Sequence, residues 1–156
     1  MNEKNNALKF AMKLISLRQR SVFEITERLK KKEYKNEIIK EVLDELKNYK
    51  YINDELFTES YINDRINFRP CGKFLIKKEL KERGIEEDII NRKIEELINE
   101  EREIDSAKKL AKNKLQILSD KTDKKKTNQK ICSYLQSRGF SFDIISKIVE
   151  NEIEQR

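Results

Sequence analysis

Gly72-Lys-Phe-Leu-Ile76-Lys-Lys-Glu-Leu80-Lys-Glu-Arg83-Gly84-Ile85-Glu-Glu-Asp-Ile89-Ile90-Asn-Arg-Lys-Ile94-Glu-Glu-Leu97 reads as a short apolar helix, a glycine stop and a second helix that starts at once. If Gly84 is the left-handed residue that ends the first helix, Leu80 and Ile85 occupy the two positions that touch in a Schellman cap, and both are apolar. The phrase returns as Leu135-Gln-Ser-Arg138-Gly139-Phe140 with Ile144 and Ile145, and as Leu29-Lys-Lys-Lys32-Glu33-Tyr34 with Ile38 and Ile39. The anchor leucines at 29, 80 and 135 are 51 and 55 residues apart. One motif is therefore used three times, and units this small bury enough only by packing on their neighbours.

Working outward, residues 1–6 are polar and are expected to fray. Leu8, Ala11, Met12 and Ile15 then follow helical spacing over 7–17. Ser21-Val-Phe-Glu24 has the form of a capping box, with the glutamate reaching back to the serine. Glu33 stands where the other two copies carry glycine, so its cap should be more strained. Ile38, Ile39, Val42, Leu43 and Leu46 mark a third helix. The second unit opens at Asp54 as N-cap and carries Phe57, Tyr61, Ile62 and Ile66. Pro70 ends that helix, and Gly72 takes the place of Ser21. The third unit starts near Asp105 with Ala107, Leu110, Ala111, Leu115 and Leu118. It passes through an aperiodic loop over 119–127, with Thr127 in the cap place, and resumes at Ile131, Leu135, Ile144, Ile145, Ile148 and Val149. The expected architecture is all-α, with three tandem three-helix repeats at 7–50, 51–103 and 104–156 in an elongated arrangement.

Hydrophobic residues make up 37% and charged residues 41%, with one Pro, three Gly and no Trp, which suits a helix-rich protein with a thin core. The net charge of +6 and a pI near 9.2 favour an acidic partner such as nucleic acid over a membrane surface. There is no histidine, no CxxC spacing and no glycine pair for a phosphate-cradling loop, which removes zinc hydrolase, Cys–His and P-loop schemes. The 29 acidic residues scatter beside Lys and Arg as solvated helical faces. No catalytic residue, metal site or cofactor is expected. Cys71 reads as a loop thiol and Cys132 as a small buried apolar residue, which with no export or membrane-spanning segment places the chain in the reducing cytoplasm.

Three phrases in order carry a resemblance. They are Ala11…Arg18-Gln-Arg20-Ser21-x-x-Glu24-Ile25-x-x-x-Leu29, then Asn53-Asp54-x-x-Phe57-x-x-x-Tyr61 with Gly72-x-x-x-Ile76-x-x-Glu79-Leu80-x-x-x-Gly84-Ile85, and finally Arg138-Gly139-Phe140-Ser141. Together they resemble the RecX family, small bacterial regulators of the RecA recombinase, over nearly the whole chain. Glu33 and Pro70-Cys71 depart from the family pattern. The resemblance implies a non-enzymatic protein of helix-turn-helix-like modules, and a monomer is expected. It would bind along the groove of the RecA–DNA filament and mainly inhibit strand exchange and co-protease activity in DNA repair. A general helix-turn-helix-like DNA-binding protein and a helical scaffold for a protein partner are the alternatives.

The charge pattern supplies candidate contacts. From Lys108 to Lys130 nine lysines face only Asp120 and Asp123, a local excess of +7 that exceeds the whole chain's +6. A second cluster runs from Arg65 to Arg83, in which Lys73, Lys77 and Lys81 recur every fourth residue and share a helical face. The candidates for nucleic-acid or filament contact are therefore Arg65, Arg69, Lys73, Lys77, Lys81, Lys108, Lys112, Lys124, Lys125, Lys126 and Lys130. They would track phosphates of single- or double-stranded DNA rather than read bases, because few Arg, Asn or Gln stand at consecutive outward positions. Tyr61 and Phe68 are the aromatics that lie beside these charges, with core packing the plainer role for Tyr61.

Overall fold

The computed structural model describes residues 2–118 and 123–153, and among them the regular structure is entirely helical. Three helices make each module: α1 (Glu3–Leu17), α2 (Val22–Lys31) and α3 (Asn36–Asn48); α4 (Asp54–Phe68), α5 (Lys73–Glu82) and α6 (Glu87–Leu97); α7 (Glu100–Ile117), α8 (Lys124–Ser137) and α9 (Phe142–Ile148), the last followed by a π-helical turn over Val149–Ile153.

The repeated stop signal works as the spacing predicts. The amide of Ile85 donates to Leu80 O at 3.1 Å, that of Phe140 to Leu135 O at 3.2 Å and that of Tyr34 to Leu29 O at 3.3 Å. These bonds are the long-range closure of a Schellman cap, and the residue inside each has positive φ: +74° at Gly84, +89° at Gly139 and +62° at Glu33. A fourth cap of this kind ends α3, where Tyr51 N donates to Leu46 O at 2.8 Å around Lys50 at φ +61°.

Helix starts depart more from expectation. Asn2 caps α1 by accepting from Lys4 N at 3.1 Å, so residues 3–6 are helical rather than frayed. Asn53, not Asp54, caps α4, its Oδ1 accepting from Glu55 N at 2.9 Å and Leu56 N at 3.2 Å. Ser21 does cap α2, accepting from Glu24 N at 3.2 Å, but the Glu24 carboxylate turns to Arg18 and Arg20 and completes no capping box. Asn99 caps α7, which opens at Glu100, ahead of Asp105. Helix α8 opens at Lys124, so Thr127 lies inside a helix and the loop reading fails for 124–127; residues 119–122 fall outside the described part.

The chain forms two compact units, Met1–Ser60 with Leu80–Ile90, and Tyr61–Glu79 with Asn91–Arg156, so the boundary runs through the three helices of the middle module. In the first unit Ala7, Ala11, Leu14, Ile25, Leu29, Ile39, Val42, Leu46 and Ile52 form the core. The start of α2 is anchored to residues of the middle module within that unit. Val22 N donates to Asp54 Oδ1 at 2.9 Å, and Ser21 Oγ donates to Arg83 O at 2.7 Å. In the second unit Ala107, Ala111, Ile131, Leu135, Phe140, Ile144, Ile145 and Ile148 form the core. The start of α5 is anchored there in the same manner. Gly72 N donates to Arg138 O at 2.8 Å, Phe74 N to Gly139 O at 3.1 Å and Lys73 N to the buried Glu103 at 3.4 Å. Each joint thus sets a helix N-terminus against an Arg-Gly turn and an acid of the following module, through the Ser21 hydroxyl and the Val22 amide at the first and through backbone amides at the second.

Candidate nucleic-acid interface

In the second unit α7 and α8 meet through Ala107 and Ala111 on one side and Ile131 and Leu135 on the other, and the small alanines let the helices approach closely. Beside that seam runs an open groove lined by Lys114 and Leu118 from the end of α7 and by Lys126, Gln129, Lys130, Ser133 and Tyr134 from α8. Lys126, Lys130 and Tyr134 recur every fourth residue and so lie along one face of α8. The Lys114 ammonium sits 5.1 Å from the Tyr134 ring centroid, a cation–π contact that fixes one positive charge over an aromatic face. Lys126 and Lys130 are exposed, and among the described residues no carboxylate lines the groove.

The start of α8 adds to this field. Lys124, Lys125 and Lys126 occupy its first turn, where the helix macrodipole is already positive, and the Asp123 side chain makes no capping bond. That placement is locally unfavourable by a few tenths of a kcal/mol per charge. Burial of Ile131 and Leu135 holds the helix in spite of it. The result is a run of cations facing solvent, an arrangement suited to a phosphodiester backbone.

The residues picked from sequence divide accordingly. Lys112, Lys124, Lys125, Lys126 and Lys130 are exposed on the α7 and α8 helices and Lys108 is half-buried. Arg69 is exposed beside Phe68, which is 77% exposed. Arg65 is a correction: it is buried, with its guanidinium 3.1 Å from both oxygens of Glu79, while the Tyr61 hydroxyl donates to Glu79 Oε2 at 2.5 Å. A charge at that depth is held by its partner and offers nothing to a phosphate. Lys73 is also engaged, its ammonium 3.6 Å from Glu103, and Lys77 is half-buried. Lys81, in the first unit, is exposed and 3.9 Å from Glu87. Of the three lysines of the α5 stripe, Lys73 is thus held by a buried acid, Lys77 is half-buried and Lys81 makes an exposed pair.

Lys114, Gln129 and Tyr134 were not among the candidates. The spacing of Lys126, Lys130 and Tyr134 carried the signal for Tyr134, whereas the Lys114 contact depends on how α7 lies on α8. The thiols exchange their expected settings: Cys71 is buried and Cys132 half-buried, and burial pushes both above the usual thiol range. Among the described residues no cluster of three or more His, Cys, Asp or Glu could hold a metal ion, and no helix is long and apolar enough to cross a membrane.

Family models described as the first, second and third three-helix domains of RecX match residues 7–46, 53–93 and 100–149. The regulatory protein RecX of Clostridioides difficile (strain 630) is 34% identical over 89% of this chain and 64% of its own length. That of Finegoldia magna is 30% identical over 91% of this chain and 69% of its own length. The chain spans about half to two thirds of the length of most such relatives. The crystal structure of RecX from Lactobacillus salivarius superposes with a TM-score of 0.82 at 24% identity, covering 98% of this chain and 97% of the other, which shows the shared fold.

Proposed function

The chain belongs to the RecX family of regulatory proteins, and from that premise we propose that it is a non-enzymatic regulator of the RecA recombinase that acts on the RecA–DNA filament. In this reading the protein mainly inhibits strand exchange and co-protease activity. The α7–α8 groove contributes the DNA contact, with the Lys126 and Lys130 ammoniums against phosphates and the Lys114–Tyr134 pair as a fixed edge. The observation that carries this choice of surface is the groove itself, which gathers three lysines and a tyrosine and, among the described residues, no carboxylate. Phosphate contacts of this kind provide attraction without sequence reading, which suits a protein that tracks a filament on any sequence.

The test is inhibition of RecA-driven strand exchange and ATP hydrolysis, with binding titrations on bare and RecA-coated DNA at two salt concentrations. Reversal of Lys126 and Lys130 to Glu should weaken binding to the filament with a melting temperature no lower than that of wild type. It should also flatten the logarithmic salt dependence by about 0.7–0.9 for each phosphate that is no longer neutralised. A wild-type protein that binds bare duplex as tightly as the filament and leaves RecA activity untouched would replace this reading with that of a general DNA-binding protein.

A further inference from the structure

In the first unit α3 ends on Tyr49, Lys50 and Tyr51, and this tip has the composition of a binding site. Tyr49 is 69% exposed and Tyr51 50% exposed, with their ring centroids 6.3 Å apart and the planes tilted by 41°. Both line an open recess whose other walls are Leu8, Met12, Glu45 and Leu46. A tyrosine pair over an apolar floor gives a planar ring something to lie on while leaving its edge in water.

The backbone at the tip is unusual as well. Lys50 holds φ +61°, a conformation that glycine adopts freely and that is strained for a residue with a Cβ. Gly84 and Gly139 fill the corresponding position in two of the other caps. Here the chain instead carries an exposed ammonium between two exposed tyrosines, with Lys47, also exposed, one helical turn earlier. Strain of this kind persists where the surrounding structure enforces it, and here the Lys50 N to Lys47 O bond at 3.0 Å and the Tyr51 N to Leu46 O bond at 2.8 Å do so. The acid in the recess is already neutralised, since Glu45 pairs with Lys4 at 3.0 Å and holds the Lys4 ammonium above its ordinary pKa. Two exposed ammoniums, Lys47 and Lys50, thus stand beside the tyrosines, and the rings are complementary to an unstacked base.

We propose that the Tyr49–Lys50–Tyr51 tip is a contact site for single-stranded nucleic acid, in which a nucleobase stacks on the tyrosine pair and the Lys47 and Lys50 ammoniums meet the adjoining phosphates. Stacking on aromatic side chains accepts any base, so the site needs no sequence-reading residues. It uses none of the residues of the α7–α8 groove.

The experiment is fluorescence anisotropy with a labelled single-stranded oligonucleotide of about 15 nucleotides, within the range of single-module site sizes. A parallel arm photo-cross-links the same oligonucleotide carrying 5-iodouracil and maps the attached peptide. Tyr49→Ala and Tyr51→Ala should each weaken binding about five-fold or more, whereas the Phe variants keep a stacking ring and should stay within about two-fold. Lys50→Gly removes the charge and relaxes the backbone, so it should melt no lower than wild type, bind more weakly and reduce the salt slope by about 0.7. Cross-links should fall on Tyr49 or Tyr51. Undiminished binding by the Tyr49→Ala, Tyr51→Ala double variant, or cross-links confined to the Tyr134 peptide, would overturn the site. Inhibition of RecA without any cross-link at the tip would also overturn it while leaving the regulator reading in place, and cross-links at the tip with no effect on RecA would do the reverse.

Discussion

Gly72 tests the joint in the second unit, because two accounts of this glycine predict opposite results. From sequence it stands in the cap place held by Ser21, and a serine there should be tolerated or should stabilise α5 by supplying a capping oxygen. The structure gives a different reason for glycine. A Cβ at position 72 would lie 2.2 Å from Gly139 O, 2.3 Å from Gly139 C and 2.5 Å from Phe140 N, all backbone atoms that no rotamer change can move. Restoring ordinary contact requires the end of α8 to retreat by about 1 Å, which stretches the Gly72 N to Arg138 O bond of 2.8 Å and the Phe74 N to Gly139 O bond of 3.1 Å. Overpacking of this sort costs about 1–3 kcal/mol and each broken hydrogen bond about 0.5–1.5 kcal/mol. Against that, replacing glycine restricts the unfolded chain and recovers about 0.4–1 kcal/mol. The expected net loss for Gly72→Ala is about 2–4 kcal/mol, a fall in Tm of roughly 5–15 °C for a chain of this size. Gly72→Ser should lose a similar amount. Urea and thermal unfolding followed by circular dichroism measure both. A serine variant at least as stable as wild type, or an alanine variant within about 0.5 kcal/mol of it, would refute the close approach.

Other substitutions follow from the same geometry. Glu33→Gly should be neutral or stabilising by up to about 1 kcal/mol, since φ is +62° there; a clear drop in the urea midpoint would mean that the Glu33 side chain contributes more than its backbone costs. Arg65→Met should cost about 2–4 kcal/mol by leaving the Glu79 carboxylate without its cation, and any weakening of DNA binding should track unfolding, so a folded Arg65→Met protein with a selective binding defect would contradict its structural role. Burial raises the Asp54 carboxyl above its ordinary value, with the Val22 amide opposing the shift. The native state therefore holds this proton more tightly than the unfolded state does, and the contribution to stability falls as pH rises from the ordinary carboxylate value through the raised one. Asp54→Asn keeps an acceptor for Val22 N and should remove that fall; a stability difference between the two proteins that does not change over acidic pH would count against it. In the native protein a thiol reagent should modify the half-buried Cys132 before the buried Cys71, as peptide mapping would reveal, and the opposite order would show that the second unit opens first around Cys71.

Features closed over five or six residues were legible in the sequence. The anchors Leu29, Leu80 and Leu135, the left-handed residues Glu33, Gly84 and Gly139, and the helical spacing of the isoleucines all act within one turn or one cap. Their physics is contained in the local chain, and it determined three modules of three helices. Helix starts were less legible, because several polar residues compete for the same free amides: Asn2, Asn53 and Asn99 took them, and the Lys124 start of α8 follows from core burial at Ile131 rather than from a favourable first turn. The basic excess between Lys108 and Lys130 was visible as charge, yet its gathering into a groove with Lys114 and Tyr134 required the packing of α7 on α8. Tertiary structure alone decided which charges are tied up in the fold. Arg65 and Lys73 look like any exposed cation in sequence, and become structural because Glu79 and Glu103 are brought to them across 14 and 30 residues. It also decided why residue 72 is glycine. The constraint comes from the carbonyl of Gly139, a backbone atom that leaves no mark on the pattern of side chains around Gly72.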